Sequence, residues 1–197
     1  MAAVESAVYS LLEVFHKYSA KEGDQLRLNR SELGVLLSQE LPCCYRKDAM
    51  SMLDLDGDGE VDFLEFIEFI TEITTELQEM YLQNIVQYNR VPKFGANTQS
   101  EKAIVTLIKV FYKYAGKGGD PLGMETRELR QLLRKEMPTL NPCLESNDQF
   151  KEMLRSLDRK HKGEVDFKEF MALVANFAVV VQTTFVSTDC DDCDDDE

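Results

Sequence analysis

Residues 54–66 read DLDGDGEVDFLEF, and residues 158–170 read DRKHKGEVDFKEF. The first stretch satisfies the calcium-loop template D-x-[DN]-x-[DN]-G-x5-E over its whole length. Calcium takes about six to eight hard oxygens, and a loop of about twelve residues wraps them around one ion. Asp54, Asp56 and Asp58 hold the first, third and fifth positions, so alternate carboxylates turn inward. Gly59, at the sixth, permits a sharp turn that a Cβ would obstruct. Glu60 offers its backbone carbonyl, Asp62 a carboxylate acting directly or through water, and Glu65 both oxygens from the incoming helix. An acidic turn without metal is the competing reading, and the completeness of the ligand set argues against it. The second stretch keeps Asp158, Gly163, the Glu164 carbonyl, Asp166 and Glu169, but has Lys160 and Lys162 where the first has Asp56 and Asp58. An ammonium only donates and cannot ligate a cation. The 158–169 loop is therefore expected to keep its shape and to have lost its ion.

Working outward, the chain is written twice. VFHKYSAKEGD at 14–24 recurs as VFYKYAGKGGD at 110–120, an offset of 96, while the acidic loops recur at an offset of 104. Eight residues have thus been added to the second copy, within the connector 139–147. The units are 1–90 and 98–188, joined by 91–97 (VPKFGAN) and followed by an acidic tail, 189–197, expected to be disordered. Pro92 and Gly95 interrupt any helix across the joint. Val4, Val8, Leu11, Leu12 and Phe15 fall at helical spacing. So do Leu33, Leu36 and Leu37, with Pro42 as a stop, then Ala49, Met50 and Leu53. A longer pattern through Phe66, Phe69, Ile70, Ile73, Leu77 and Met80 runs toward Ile85. The second copy predicts helices near 98–114, 126–137, 147–157 and 167–186. The fold class is all-α, with eight helices. A short loop-to-loop pairing through Leu28 and Val61, and through Met124 and Val165, is the only strand expected.

Upstream of each acidic loop lies a glycine-bearing loop that fails the template. Tyr18-Ser19, Lys21-Glu22-Gly23-Asp24 and Glu32, followed by LDLDGDGEVDFLEF, resemble the paired EF-hands of the S100 proteins. The resemblance implies that this first loop holds calcium mainly by carbonyls, here those of Ser19, Glu22, Asp24 and Arg27, closed by a bidentate Glu32. The second copy matches at Ala115, Gly118, Asp120, Gly123 and Glu128. Gly116, Gly118, Gly119 and Gly123 raise the entropy lost on binding there. A flexible connector without metal competes closely with that second site. Both upstream loops are expected to bind more weakly than 54–65, giving about three calcium sites in all.

Two such pairs in one chain imply an intramolecular pseudo-dimer, a monomer whose first and fourth helices build a shared bundle. The resemblance also implies a sensor and adaptor. Calcium would open a groove for the amphipathic helix of a target protein, such as an annexin-like tail. Candidate lining in the first unit is Leu41, Pro42, Tyr45, Met52, Phe69, Ile73, Leu77 and Met80. In the second it is Leu140, Met153, Phe170, Val174 and Phe177. The methionines give adaptable contact surface, but at helical spacing they are more often simply core. A calcium buffer that hardly changes shape, or a bivalent structural or extracellular interaction protein, are the alternatives.

Composition agrees. The 197 residues are 44% hydrophobic, enough for a core, and carry a net charge of −14, with seven acidic residues in the tail. Such a chain repels phosphate and lacks a nucleic-acid footprint. The N-terminus has no positive leading region, so no signal peptide is expected. The apolar run 170–181 is too short to span a membrane. Five cysteines without a framework suit a reducing compartment. A cytoplasmic setting is expected, with unconventional secretion left open. Of the two histidines, His16 lacks a His pair in the last helix to complete a zinc cluster, so zinc is not expected. Cys190 and Cys193 supply two of the four ligands of a closed zinc site. Asn29-Arg30-Ser31 matches a glycosylation sequon by chance. No nucleophile, base and glycine elbow occur together, and no enzyme is expected.

Overall fold

The computed structural model describes residues 2–19, 21, 23–42, 49–88, 96–115, 122–140, 152, 155–156 and 163–189. Among them seven helices carry the architecture. In the first unit these are α1 (Ala3–Ser19), α2 (Arg30–Glu40), α3 (Ala49–Leu53) and α4 (Phe63–Tyr88). In the second they are α5 (Gln99–Tyr114), α6 (Thr126–Glu136) and α7 (Phe167–Asp189). The helix expected at 147–157 falls mostly outside the described residues, although 152, 155 and 156 are helical. The joint 91–95 and the tail beyond 189 also lie outside them.

The two loop pairings form where expected. β1 (Arg27–Leu28) runs antiparallel to β2 (Val61–Asp62), with Leu28 opposite Val61. β3 (Gly123–Glu125) does the same with β4 (Glu164–Asp166), with Met124 opposite Val165. All four of these apolar residues are buried. Each two-stranded ribbon therefore ties the two loops of a unit together through one apolar pair.

Each α1-type helix has a wide apolar face. Val4, Val8, Leu11, Leu12, Phe15 and Tyr18 are buried in α1, and Ile104, Leu107, Ile108, Phe111 and Tyr114 in α5. Part of that face meets the helix's own unit. Phe15 lies edge-on to Phe63 at 5.3 Å, and Phe111 edge-on to Phe167 at 5.1 Å. The rest meets the other unit: α1 packs along α5, α4 along α7, and both diagonals, α1–α7 and α4–α5, are in contact. The result is the four-helix bundle of a pseudo-dimer inside one chain, with a single continuous core.

Polar contacts fix the pseudo-symmetry. The Ala3 amide that opens α1 donates to Glu136 Oε2 (3.0 Å) at the end of α6. The Thr98 hydroxyl that caps α5 donates to the Glu40 carbonyl (2.6 Å) at the end of α2. Each first helix thus starts on the last turn of the other unit's second helix. Glu40 takes Lys17 (3.2 Å) and the Tyr18 hydroxyl (3.3 Å). Glu136 takes Lys113 (2.8 Å) and the Tyr114 hydroxyl (2.9 Å). Burial pushes the Glu136 carboxyl up, but Lys113, Tyr114 and the Ala3 amide together hold it below its usual range.

In α4 the apolar pattern only partly identifies the buried face. Phe66, Ile70 and Ile73 are buried, but Phe69 and Leu77 are half-buried and Met80 is exposed. Thr74, Thr75 and Gln78 are buried instead. The threonines manage this by donating to carbonyls one turn back, Thr74 to Ile70 (2.6 Å) and Thr75 to Thr71 (2.8 Å). Gln78 donates to the Tyr112 hydroxyl of α5, and Tyr81 stacks on the Tyr112 ring at 5.2 Å. No helix among the described residues is long and apolar enough to cross a membrane.

Candidate metal centre

The site is built by the turn between α3 and α4. Gly57 and Gly59 have φ of +77° and +88°, conformations glycine adopts without the steric cost of a Cβ. These turns bring ligand oxygens of Asp54, Asp56 and Asp58 within 4.8 Å of one another. Loop amides orient each carboxylate. Asp54 accepts from Gly57 (2.7 Å) and Gly59 (3.0 Å), Asp56 from the Asp58 amide (3.0 Å), and Asp58 from the Glu60 amide (2.9 Å). Hard, negatively charged oxygens held this close fit calcium or a similar hard cation.

Glu65 closes the loop from the first turn of α4. Its Oε2 accepts the Asp62 amide (3.0 Å), and the Glu65 amide donates back to Asp62 (2.9 Å), which is a capping box. Its Oε1 accepts from Leu55 (2.7 Å) and, more distantly, Asp56 (3.4 Å). The same Oε2 contact recurs at the other three closing glutamates. Glu32 accepts from Asn29 (3.1 Å), Glu128 from Glu125 (3.1 Å) and Glu169 from Asp166 (2.9 Å). All four glutamates are buried. Helix capping is thus a duty of all four residues, and the x-x-Glu spacing before each helix is its sequence signal. Asn29, the chance sequon, is accounted for in the same way: its side chain accepts from the Ser31 (2.9 Å) and Glu32 (3.0 Å) amides.

The two units differ at the remaining glutamate oxygen. Glu128 Oε1 and Glu169 Oε1 are buried and accept no hydrogen bond. A buried carboxylate oxygen without a donor is costly unless a cation or water meets it. At Glu128 this fits the expected closing ligand of the carbonyl loop. At Glu169 it accompanies a retained half-loop, in which Gly163 has φ +76° and β4 pairs as β2 does. Residues 158–162, which include both lysines, lie outside the described residues.

In the first carbonyl loop, Ser19 is buried and its hydroxyl donates to the Gln25 carbonyl (2.6 Å). Gly23 has φ +84°. The Asp24 carbonyl accepts the Arg27 amide (3.1 Å), and its side chain accepts the Leu26 amide (2.9 Å). Glu22 lies outside the described residues, as do Gly118 and Asp120 in the second unit, where Ala115 ends α5 and Gly123 opens β3.

Arg27 was expected to contribute only its carbonyl, yet its side chain reaches the acidic loop. The guanidinium donates to Asp58 Oδ2 and lies 3.8 Å from Glu60 and 4.0 Å from Asp24. The Glu60 amide and then Arg27 hold the Asp58 carboxyl below its usual range. Sequence offers no spacing rule for this contact, because it crosses from β1 to the loop before β2.

The expected groove residues are mostly covered. Leu41, Ile73, Phe170, Val174 and Phe177 belong to the core, and Leu140 is packed against it. Met52 and Met80 are exposed, and Tyr45 and Met153 lie outside the described residues.

Comparison with known families gives three matches. The S-100/ICaBP type calcium binding domain matches residues 4–47 and again 100–142. An EF-hand domain pair matches residues 128–176, and a single EF hand matches 47–70.

Proposed function

Because the chain belongs to the S100-type calcium-binding EF-hand proteins, carrying two such units in tandem, we propose that it is a calcium sensor and adaptor. The observation that carries this is the Asp54, Asp56 and Asp58 cluster at the junction of α3 and α4. The 54–65 loop is the tightest site, held by these three carboxylates, the Glu60 carbonyl, Asp62 and Glu65. The carbonyl loops closed by Glu32 and Glu128 bind more weakly, and the 158–169 loop does not bind, giving three ions. A bound ion would supply a fixed positive charge toward which the loop oxygens contract. The protein's part is to convert that contraction into movement of α3 against α4.

The reading of a sensor rather than a buffer is supported by where apolar surface already lies. Met52 in α3 and Met80 in α4 are exposed, with Phe69 and Leu77 half-buried on α4 between them. Rotation of the five-residue α3 away from α4 would join them into one groove for a target's amphipathic helix. At the equivalent positions of the second unit, Leu173 and Val181 are buried where Phe69 and Leu77 are half-buried, which favours the first unit as the responding half. The setting we propose is the cytoplasm.

Isothermal titration should count three calcium ions, and an apolar fluorescent dye should brighten on saturation. Three ions bound with no rise in dye fluorescence would leave a buffer in place of a sensor. Target capture that is equal with calcium and with chelator would favour a calcium-independent scaffold.

A further inference from the structure

We propose that Arg27 is an electrostatic brake on the 54–65 loop, a tethered cation that competes with calcium for the Asp58 carboxylate. This rests on the reading of that loop as a calcium site. Both Asp58 oxygens are engaged: Oδ1 by the Glu60 amide at 2.9 Å, and Oδ2 by the Arg27 guanidinium. The amide contact already orients the carboxylate as equivalent amides orient Asp54 and Asp56. The arginine is therefore not needed to aim it. What it adds is a fixed positive charge where a divalent ion would need the same carboxylate. Glu60, whose carbonyl is the ligand at the seventh loop position, has its own carboxylate 3.8 Å from the guanidinium, so two loop positions share this counter-ion. Among the described residues, Asp58 is the only one of the three clustered carboxylates with a basic side chain against it.

The second unit provides an internal comparison. Gly123 stands where the first has Arg27, and Lys162 where it has Asp58. The arginine and its carboxylate partner are absent together. At Gly123 a Cβ would lie 2.8 Å from Glu164 Oε2, so the space above β3 is taken by the acidic side chain of the seventh position. A basic residue on this strand thus accompanies a loop with a full set of carboxylates and is missing from the loop without one.

Calcium titration followed at the Gly59 amide by NMR tests the proposal on the full chain. Arg27→Gln should bind at this loop roughly threefold to fivefold more tightly, the range of an exposed charge pair. Arg27→Lys should stay within about twofold of wild type, because the charge remains. Arg30→Gln, which removes a cation three positions along the chain at the start of α2, should change affinity by less than about twofold. The advantage of Arg27→Gln should shrink as ionic strength rises, as expected of screening. Equal or weaker binding by Arg27→Gln at low salt would overturn the brake, as would an equal gain from Arg30→Gln. Glu65→Gln, run in parallel, should move the Gly59 response to calcium concentrations more than about tenfold higher. If it did not, the calcium reading of the loop itself would fall, whatever Arg27 does.

Discussion

Glu65 caps α4 and, in the proposed site, would also close on an ion, and the two roles can be separated by substitution. Glu65→Gln keeps an oxygen for the Asp62 amide but loses the charge that would close on an ion. It should therefore lower calcium affinity of the 54–65 loop by more than about tenfold, roughly 1.4 kcal/mol. Thermal stability of the calcium-free protein should move far less, which melting in chelator would check. Gly59 is constrained differently. At φ +88° a side chain is strained even though nothing crowds the space around it. Gly59→Ala should cost about 1–2 kcal/mol in chemical denaturation. The complementary gain-of-function change is the pair Lys160→Asp with Lys162→Asp, which should add one calcium to the three we propose. A wild type that already binds four would refute the assignment of that loop.

Among elements, the helices and the two loop pairings were legible because their signals are local. Leu28 opposite Val61 follows from loop register, and α5 begins where Thr98 can cap it. The inner face of α4 was less legible. Thr74, Thr75 and Gln78 fall outside the apolar pattern, but in α4 they are buried, the threonines bonded to their own helix and Gln78 to Tyr112 of the other unit. That partner is supplied by the fold, not by neighbouring sequence. The ends of α2 and α6 carry a comparable hidden feature in Glu40 and Glu136. Because the folded state holds Glu136 below its usual value of 4.5, its contribution to stability is complete above that pH. It is lost as pH falls through the depressed value. Urea midpoints should show wild type more stable than Glu136→Gln at neutral pH, with the gap closing below pH 4.5. Parallel curves would mean that Lys113, Tyr114 and Ala3 do not favour the ionised form.

At the scale of the molecule, the apolar faces of α1, α4, α5 and α7 are mostly buried, partly against one another and partly within their own units. The chain should therefore sediment as a monomer across micromolar concentrations; a concentration-dependent dimer would show that an apolar face remains uncovered. The bundle has one further consequence, for evolution more than for mechanism. Two identical chains that associate must carry the same loops twice, and every mutation enters both halves together. Here the halves meet at millimolar effective concentration however dilute the protein, a general effect of linkage. They are also free to diverge. One half holds Arg27 with Asp58, the other Gly123 with Lys162, inside the same helical frame. Fusion lets the pair divide its labour without ever falling apart on dilution.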